Sequence, residues 1–123
     1  FCIGESFYKR KKKKTRKVLN TQILQGLKKV KKLNNLIIAY EPVWSIGTGV
    51  IPESNELHKN INHIKTLLKS KLKFKKSIVL YGGSVNPKNI NNLKIINNID
   101  GFLIGGASQN PKKFIDIIKK TFN

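Results

Sequence analysis

Four short apolar runs, each followed by a loop and then by a stretch of helical spacing, constrain this chain more than any other feature. They fall at 1–3, 36–40, 77–81 and 100–104. The run at 36–40, Leu-Ile-Ile-Ala-Tyr, has no polar break, which is the mark of a parallel strand covered on both faces. Between the runs, apolar residues recur at helical intervals. Val18, Leu19, Gln22, Ile23, Leu27 and Val30 predict an amphipathic helix over about 15–32, weakened a little by Gly26. Ile51-Pro52-Glu53 opens a second helix, with proline in its first turn and an apolar stripe of Leu57, Ile61, Ile64 and Leu68. Asn86-Pro87 and Asn110-Pro111 each read as a capping residue followed by proline at the first helical position. The first opens a helix through Ile90 and Leu93 to about 96; the second opens one lined by Phe114, Ile117 and Ile118. Four strands alternating with four helices define an α/β fold with a parallel sheet.

Composition bears on partners. The 123 residues carry a net charge of +19, which invites a nucleic-acid reading. Yet 23 of the 25 cations are lysine, and Lys, Ile and Asn together make 54 residues. All three have AT-rich codons, so a biased genome raises them together. Nucleic-acid readers favour arginine for its bidentate contacts. No specific nucleic-acid partner is expected, and the basic run at 9–17 is read as a solvated turn and helix start. A lone cysteine, Cys2, excludes an internal disulfide framework, and a reducing cytoplasm suits it. His58 and His63 lie five apart on one helix and do not share a face as paired metal ligands would. No window is long and apolar enough for a membrane helix. The chain has no Met and begins Phe-Cys-Ile-Gly-Glu, which reads as the inside of a domain rather than a leader segment.

Six of the nine glycines form three pairs, 47 and 49, 82 and 83, 105 and 106, each just beyond a strand. Glycine there admits positive φ and lets backbone N–H groups approach an anion, most simply a phosphate. One carboxylate stands beside them. Glu41 follows the strand at 36–40 and precedes Pro42, which holds the backbone extended and aims the side chain. A positioned base beneath a loop with a stiff start and a glycine finish is the expectation.

These residues resemble the triosephosphate isomerase family. Ala-Tyr-Glu-Pro-Val-Trp-Ser-Ile-Gly-Thr-Gly at 39–49 is similar to its signature, with Ser45 where the family usually has alanine. Tyr-Gly-Gly-Ser-Val at 81–85 and Asp-Gly-Phe-Leu-Ile-Gly-Gly-Ala-Ser at 100–108 resemble its seventh and eighth strand ends, and Phe-Cys-Ile-Gly-Glu at 1–5 its fifth. Gln109, where an apolar residue is common, and the lysine run depart from the pattern without touching these motifs.

The resemblance implies a (βα)8 TIM barrel of about 250 residues, of which residues 1–123 supply the carboxyl-terminal (βα)4 half of a single domain. It implies Glu41 as catalytic base. Pro42, Val43, Trp44, Ser45, Ile46, Thr48 and Gly49 become a closing lid with Gly47, whose N–H would meet the substrate phosphate. Ser84, Gly105 and Gly106 would complete the phosphate site, while Cys2, Glu5 and Tyr81 would support the region from behind. The implied reaction interconverts dihydroxyacetone phosphate and D-glyceraldehyde 3-phosphate, in glycolysis and gluconeogenesis, with no cofactor or metal. The implied partners are the triose phosphate, the absent amino-terminal half with its lysine and histidine, and a second copy in a cytoplasmic homodimer. A half-barrel alone is expected to be inactive, with bare sheet edges and an uncovered inner face. The alternatives are a self-pairing phosphate-binding half-barrel and, more weakly, a basic nucleic-acid binder.

Overall fold

The structure, a computed structural model, describes residues 1–30, 35–74 and 76–123. Among them four parallel strands stand in sequence order: β1 (Cys2–Ile3), β2 (Ile37–Tyr40), β3 (Ile78–Tyr81) and β4 (Gly101–Phe102). Cys2 pairs with Ala39, Ala39 with Leu80 and Leu80 with Gly101, so one register row crosses the whole sheet. Backbone bonds carry the ladder past the strand ends. Glu41 donates to Ile3 O at 2.7 Å, Gly82 to Tyr40 O at 2.9 Å and Leu103 to Tyr81 O at 2.9 Å. These bonds draw the three post-strand loops to one rim.

Among the described residues five helices separate and follow the strands: α1 (Phe7–Lys11), α2 (Thr15–Gly26), α3 (Ser54–Leu72), α4 (Ile90–Lys94) and α5 (Pro111–Phe122). Alternation along each strand sends every second side chain to one face. Ile38, Tyr40, Val79 and Tyr81 meet Leu19 and Ile23 of α2, Leu57, Ile61, Ile64 and Leu68 of α3, Ile90 and Leu93 of α4, and Ile117 of α5. That single core lies entirely between the sheet and its helices. On the other face Cys2, Ile37, Ile78 and Leu103 stay exposed. The unbroken apolar run of β2 therefore has helices on one face only, and the expected uncovered inner face is present. β1 and β4 each pair on one side only among the described residues.

Local chemistry moves several boundaries. The basic run contains a helix of its own, α1, because Ser6 caps it by accepting from the Lys9 N–H at 3.4 Å. Two exposed aromatics, Phe7 and Tyr8, begin that helix. The helix expected over 15–32 ends at Gly26, and positions 31–34 lie outside the described residues. Gly26 itself is explained by the Phe1 ring, since a Cβ there would come within 2.5 Å of it. Pro52 lies just before α3 rather than in its first turn, and Glu53 is the N-cap. Lys73, in the left-handed region at φ 56°, closes α3, and the Phe74 N–H reaches back to Leu68 O. Asn86 caps a turn by accepting from the Lys88 N–H at 2.8 Å, and the helix begins only at Ile90. Asn110 caps α5 as the sequence predicts, accepting from Lys113 N–H.

Candidate active site

Glu41 leaves the carboxyl end of β2 half-buried, and its side chain lies over Gly82. A Cβ at Gly82 would sit 2.9 Å from Glu41 Cγ and 3.0 Å from Oε1, so only glycine leaves the carboxylate its place. Below, Gly4 packs against the Glu41 carbonyl so closely that a Cβ would be 1.8 Å from its oxygen. Backbone contacts thus fix Glu41 from both neighbouring strands. Its carboxylate raises the Cys2 thiol above the usual value, first by hydrogen bonding, with burial second.

Segment 42–49 arches over the same rim. Pro42 is buried, Val43–Ser45 form a 3-10 turn, and Gly47 and Gly49 take positive φ of 70° and 78°. A side chain would strain both positions. Val43 and Ile46 are exposed, while Ser45 is fully buried. Thr48 Oγ1 donates to Trp44 O and accepts from the Val50 N–H, which folds the loop on itself. Gly49 N–H donates to Ser84 Oγ at 2.9 Å, and the Ser84 hydroxyl donates to Ser45 O. The loop is docked on the turn after β3, where Ser84 itself carries a positive φ of 50°.

The foot of this loop is held by a buried acid. Glu5, fully buried, accepts from Trp44 Nε1–H at 2.9 Å and from Tyr40 O–H at 3.1 Å, while Asn60 of α3 donates to the Tyr40 oxygen at 3.0 Å. The Arg10 guanidinium lies 4.3 Å over the Trp44 ring and forms a bidentate pair with Glu56 at 2.9 and 2.7 Å. That pairing raises Arg10 further above its already high value. Burial, then the neighbouring Glu5, raises the Tyr40 hydroxyl well above the ordinary phenol range. Burial pushes Tyr81 up to about 12, against the Ser45 hydroxyl 3.0 Å away. Both phenols stay protonated at neutral pH, so both can donate.

Glu41, Ile46, Gly47, Gly49, Gly83, Ser84, Gly105 and Gly106 line one cavity of about 660 Å³. Gly105 and Gly106 open a 3-10 turn, Gly106–Gln109, whose first backbone N–H groups lie at the cavity. Uncommitted N–H groups at such a turn favour an anion. Of the residues singled out in the sequence, Glu41, Gly47, Gly49, Ser84, Gly105 and Gly106 come together here. Trp44, Glu5 and Tyr81 stand behind them. The three glycine pairs turn out to differ: only 47 and 49 use positive φ, whereas 82 and 83 are sites of close approach.

Several participants escaped sequence reasoning. Lys88 and Lys113 also line the cavity, and nothing separates them in sequence from the other 21 lysines. Asn60 had a readable signal, a polar residue set one position before Ile61 of the α3 stripe. His63 Nε2–H donates to Asn20 Oδ1 at 2.6 Å and so is a satisfied histidine between α2 and α3, away from the cavity.

A parallel sheet with helices on one face, and its reactive side chain and backbone donors on the rim of carboxyl ends, defines a (βα)-barrel protein of which half is in view. Known proteins make the assignment specific. The family profile described as "Triosephosphate isomerase" matches residues 1–121. Triosephosphate isomerase of Thermodesulfovibrio yellowstonii is 44% identical over 121 residues, covering 97% of this chain and 49% of that protein. The Dictyoglomus turgidum triosephosphate isomerase is 43% identical over 125 residues, covering 97% and 50%. That of Mycoplasmoides gallisepticum is 44% identical over 123 residues, covering 96% and 49%. The chain belongs to the triosephosphate isomerase family. It spans about half the length of the curated relatives it matches, and corresponds to their carboxyl-terminal half.

Proposed function

We propose that residues 1–123 form the carboxyl-terminal half of one barrel domain and bring the base, the lid and most of the phosphate site of a triosephosphate isomerase. The observation that carries this is the placing of the Glu41 carboxylate, aimed by Gly82 and Gly4, in the same cavity as the loop amides of Gly47, Gly105 and Gly106. Substrate phosphate would sit among those amides and Ser84, leaving its carbon chain toward Glu41. Glu41 would then take a proton from the carbon next to the carbonyl of dihydroxyacetone phosphate and return it to the neighbouring carbon, through an enediolate, to give D-glyceraldehyde 3-phosphate. Triosephosphate isomerase is itself the general example of a glutamate base working with a neutral histidine electrophile beneath a closing loop. The lid would keep water from the enediolate, which otherwise expels phosphate.

Among the described residues no histidine electrophile stands beside Glu41. The cavity-lining residues include no histidine, and His63 is committed to Asn20. The histidine and the phosphate-binding lysine would come from the other four βα units, seated on the exposed inner face and paired with β1 and β4. The completed enzyme is proposed to be a cytoplasmic homodimer. Isomerisation should be undetectable with this chain alone and should return when the amino-terminal half of a relative is added. Turnover by the chain alone would overturn the need for a second half; a stable inert homodimer that binds phosphate would favour a self-paired barrel.

A further inference from the structure

Ser45, which stands where the resemblance to the family usually puts alanine, makes contacts that an alanine could not. Its side chain is fully buried, and its hydroxyl donates to Val50 O at 2.5 Å. The same oxygen lies 3.0 Å from the Tyr81 hydroxyl. A serine has one proton to give. With that proton on Val50, Tyr81 must be the donor of the second bond. Tyr81 ends β3 and is wholly buried, so this anchor belongs to the rigid sheet. Gly83 makes the approach possible, because a Cβ there would come within 2.7 Å of Ser45 Oγ and 2.5 Å of Tyr81 Oη.

We propose that Ser45 is a positioning residue that staples the loop over Glu41: its hydroxyl joins the two ends of segment 45–50 and ties both to β3 through Tyr81. Without that hydroxyl the loop keeps the Trp44 bond to Glu5 at its foot, the internal Thr48 bridge, and on the β3 side only the bonds made by Ser84, to Ser45 O and from Gly49 N–H. Those last two attach separate points of the loop to one half-buried side chain of the turn after β3. Thr48 already bridges the two ends within the loop, but the Ser45 hydroxyl ties both of them to the buried Tyr81 of β3, so the two ends must leave the rim together. The consequence is a loop that moves as one body and rests in its docked position more of the time. The proposal rests on reading 42–49 as a lid, and the experiment separates the two ideas.

The measurement is amide hydrogen exchange at Gly49 together with acrylamide quenching of Trp44, the sole tryptophan of the chain. Wild type, Ser45→Ala and Tyr81→Phe are compared, each with and without inorganic phosphate, and the Leu68 amide inside α3 serves as the core reference. Removing two bonds should speed Gly49 exchange in Ser45→Ala about tenfold and raise Trp44 quenching, with Leu68 unchanged. Tyr81→Phe should give a smaller acceleration, because the bond to Val50 survives. Unchanged Gly49 exchange in Ser45→Ala overturns the staple, and so does equal acceleration at Gly49 and Leu68, which would mean general loosening. Tyr81→Phe matching Ser45→Ala overturns the link to Val50. Slower Gly49 exchange on adding phosphate to wild type supports the lid. No response to phosphate, with Ser45→Ala still faster, removes the lid reading and keeps the staple.

Discussion

Trp44 Nε1–H donates to the buried Glu5 carboxylate at 2.9 Å, joining the loop that follows β2 to the loop that follows β1. The carboxylate also receives the Tyr40 hydroxyl, so a single acid fixes both the last side chain of β2 and the ring three residues beyond Glu41. Glu5→Ala would leave two buried donors without partners. It should lower stability by about 2–6 kcal/mol, from two unmet donors at ~1–3 kcal/mol each. Urea unfolding checks the loss, and Trp44 emission should shift to longer wavelength.

Gly4→Ala tests how closely the strands approach beneath the base. Its Cβ would be 1.8 Å from Glu41 O and 2.5 Å from Glu41 C, both backbone atoms with nowhere to turn. The strands must part, at a cost of about 3 kcal/mol or more. Thermal unfolding should register it, whereas Gly105→Ala, with open space around its Cβ, should leave the midpoint nearly unchanged.

Glu41→Gln keeps the shape of the side chain and removes its basicity. In the barrel completed with the other half, kcat should fall by roughly 10²–10⁴-fold, the usual contribution of a placed general base, with KM little changed. A steady-state assay decides this. Retention of more than a tenth of the wild-type kcat would remove Glu41 from the role of base.

Lys88 and Lys113 are expected to draw an anion into the cavity they border. Replacing both by glutamine should weaken inorganic phosphate binding about threefold to tenfold in titration calorimetry, and should flatten its dependence on salt.

Stability should also depend on pH through His63. Burial, then the charge of Arg16, lowers its pKa from 6.5 in the folded chain. Between that lowered value and 6.5 the unfolded chain binds a proton that the folded chain does not. The stabilisation is therefore complete above pH 6.5 and is lost progressively on acidification below it. His63→Gln should flatten this part of the profile in denaturant midpoints measured from pH 7.5 to 5.

Much of this was legible in the chain because strands and their rim loops are written in local code. The unbroken run at 36–40, proline after Glu41 and glycine at 47 and 49 each act within a few residues, and each took its expected place. The helix at 7–11 was hidden because it carries no apolar stripe and runs into the basic stretch 9–17, which reads as a solvated turn. The network at Glu5 was hidden for a different reason. Trp44, Tyr40, Asn60 and Arg10 converge from a 3-10 turn, a strand and two helices far apart in sequence, and only the parallel register brings them together. The bare inner face came from family length, since composition alone made those residues look like ordinary core.

The helix-covered face and the bare face of this sheet also differ in kinetics. Closing the first is a unimolecular event, set by contacts among residues of one chain and indifferent to dilution. Closing the second by separately supplied residues is bimolecular, with a rate that rises with concentration and competes with clumping through Ile37, Ile78 and Leu103. The excess of the other half over this chain should decide between a finished barrel and an aggregate.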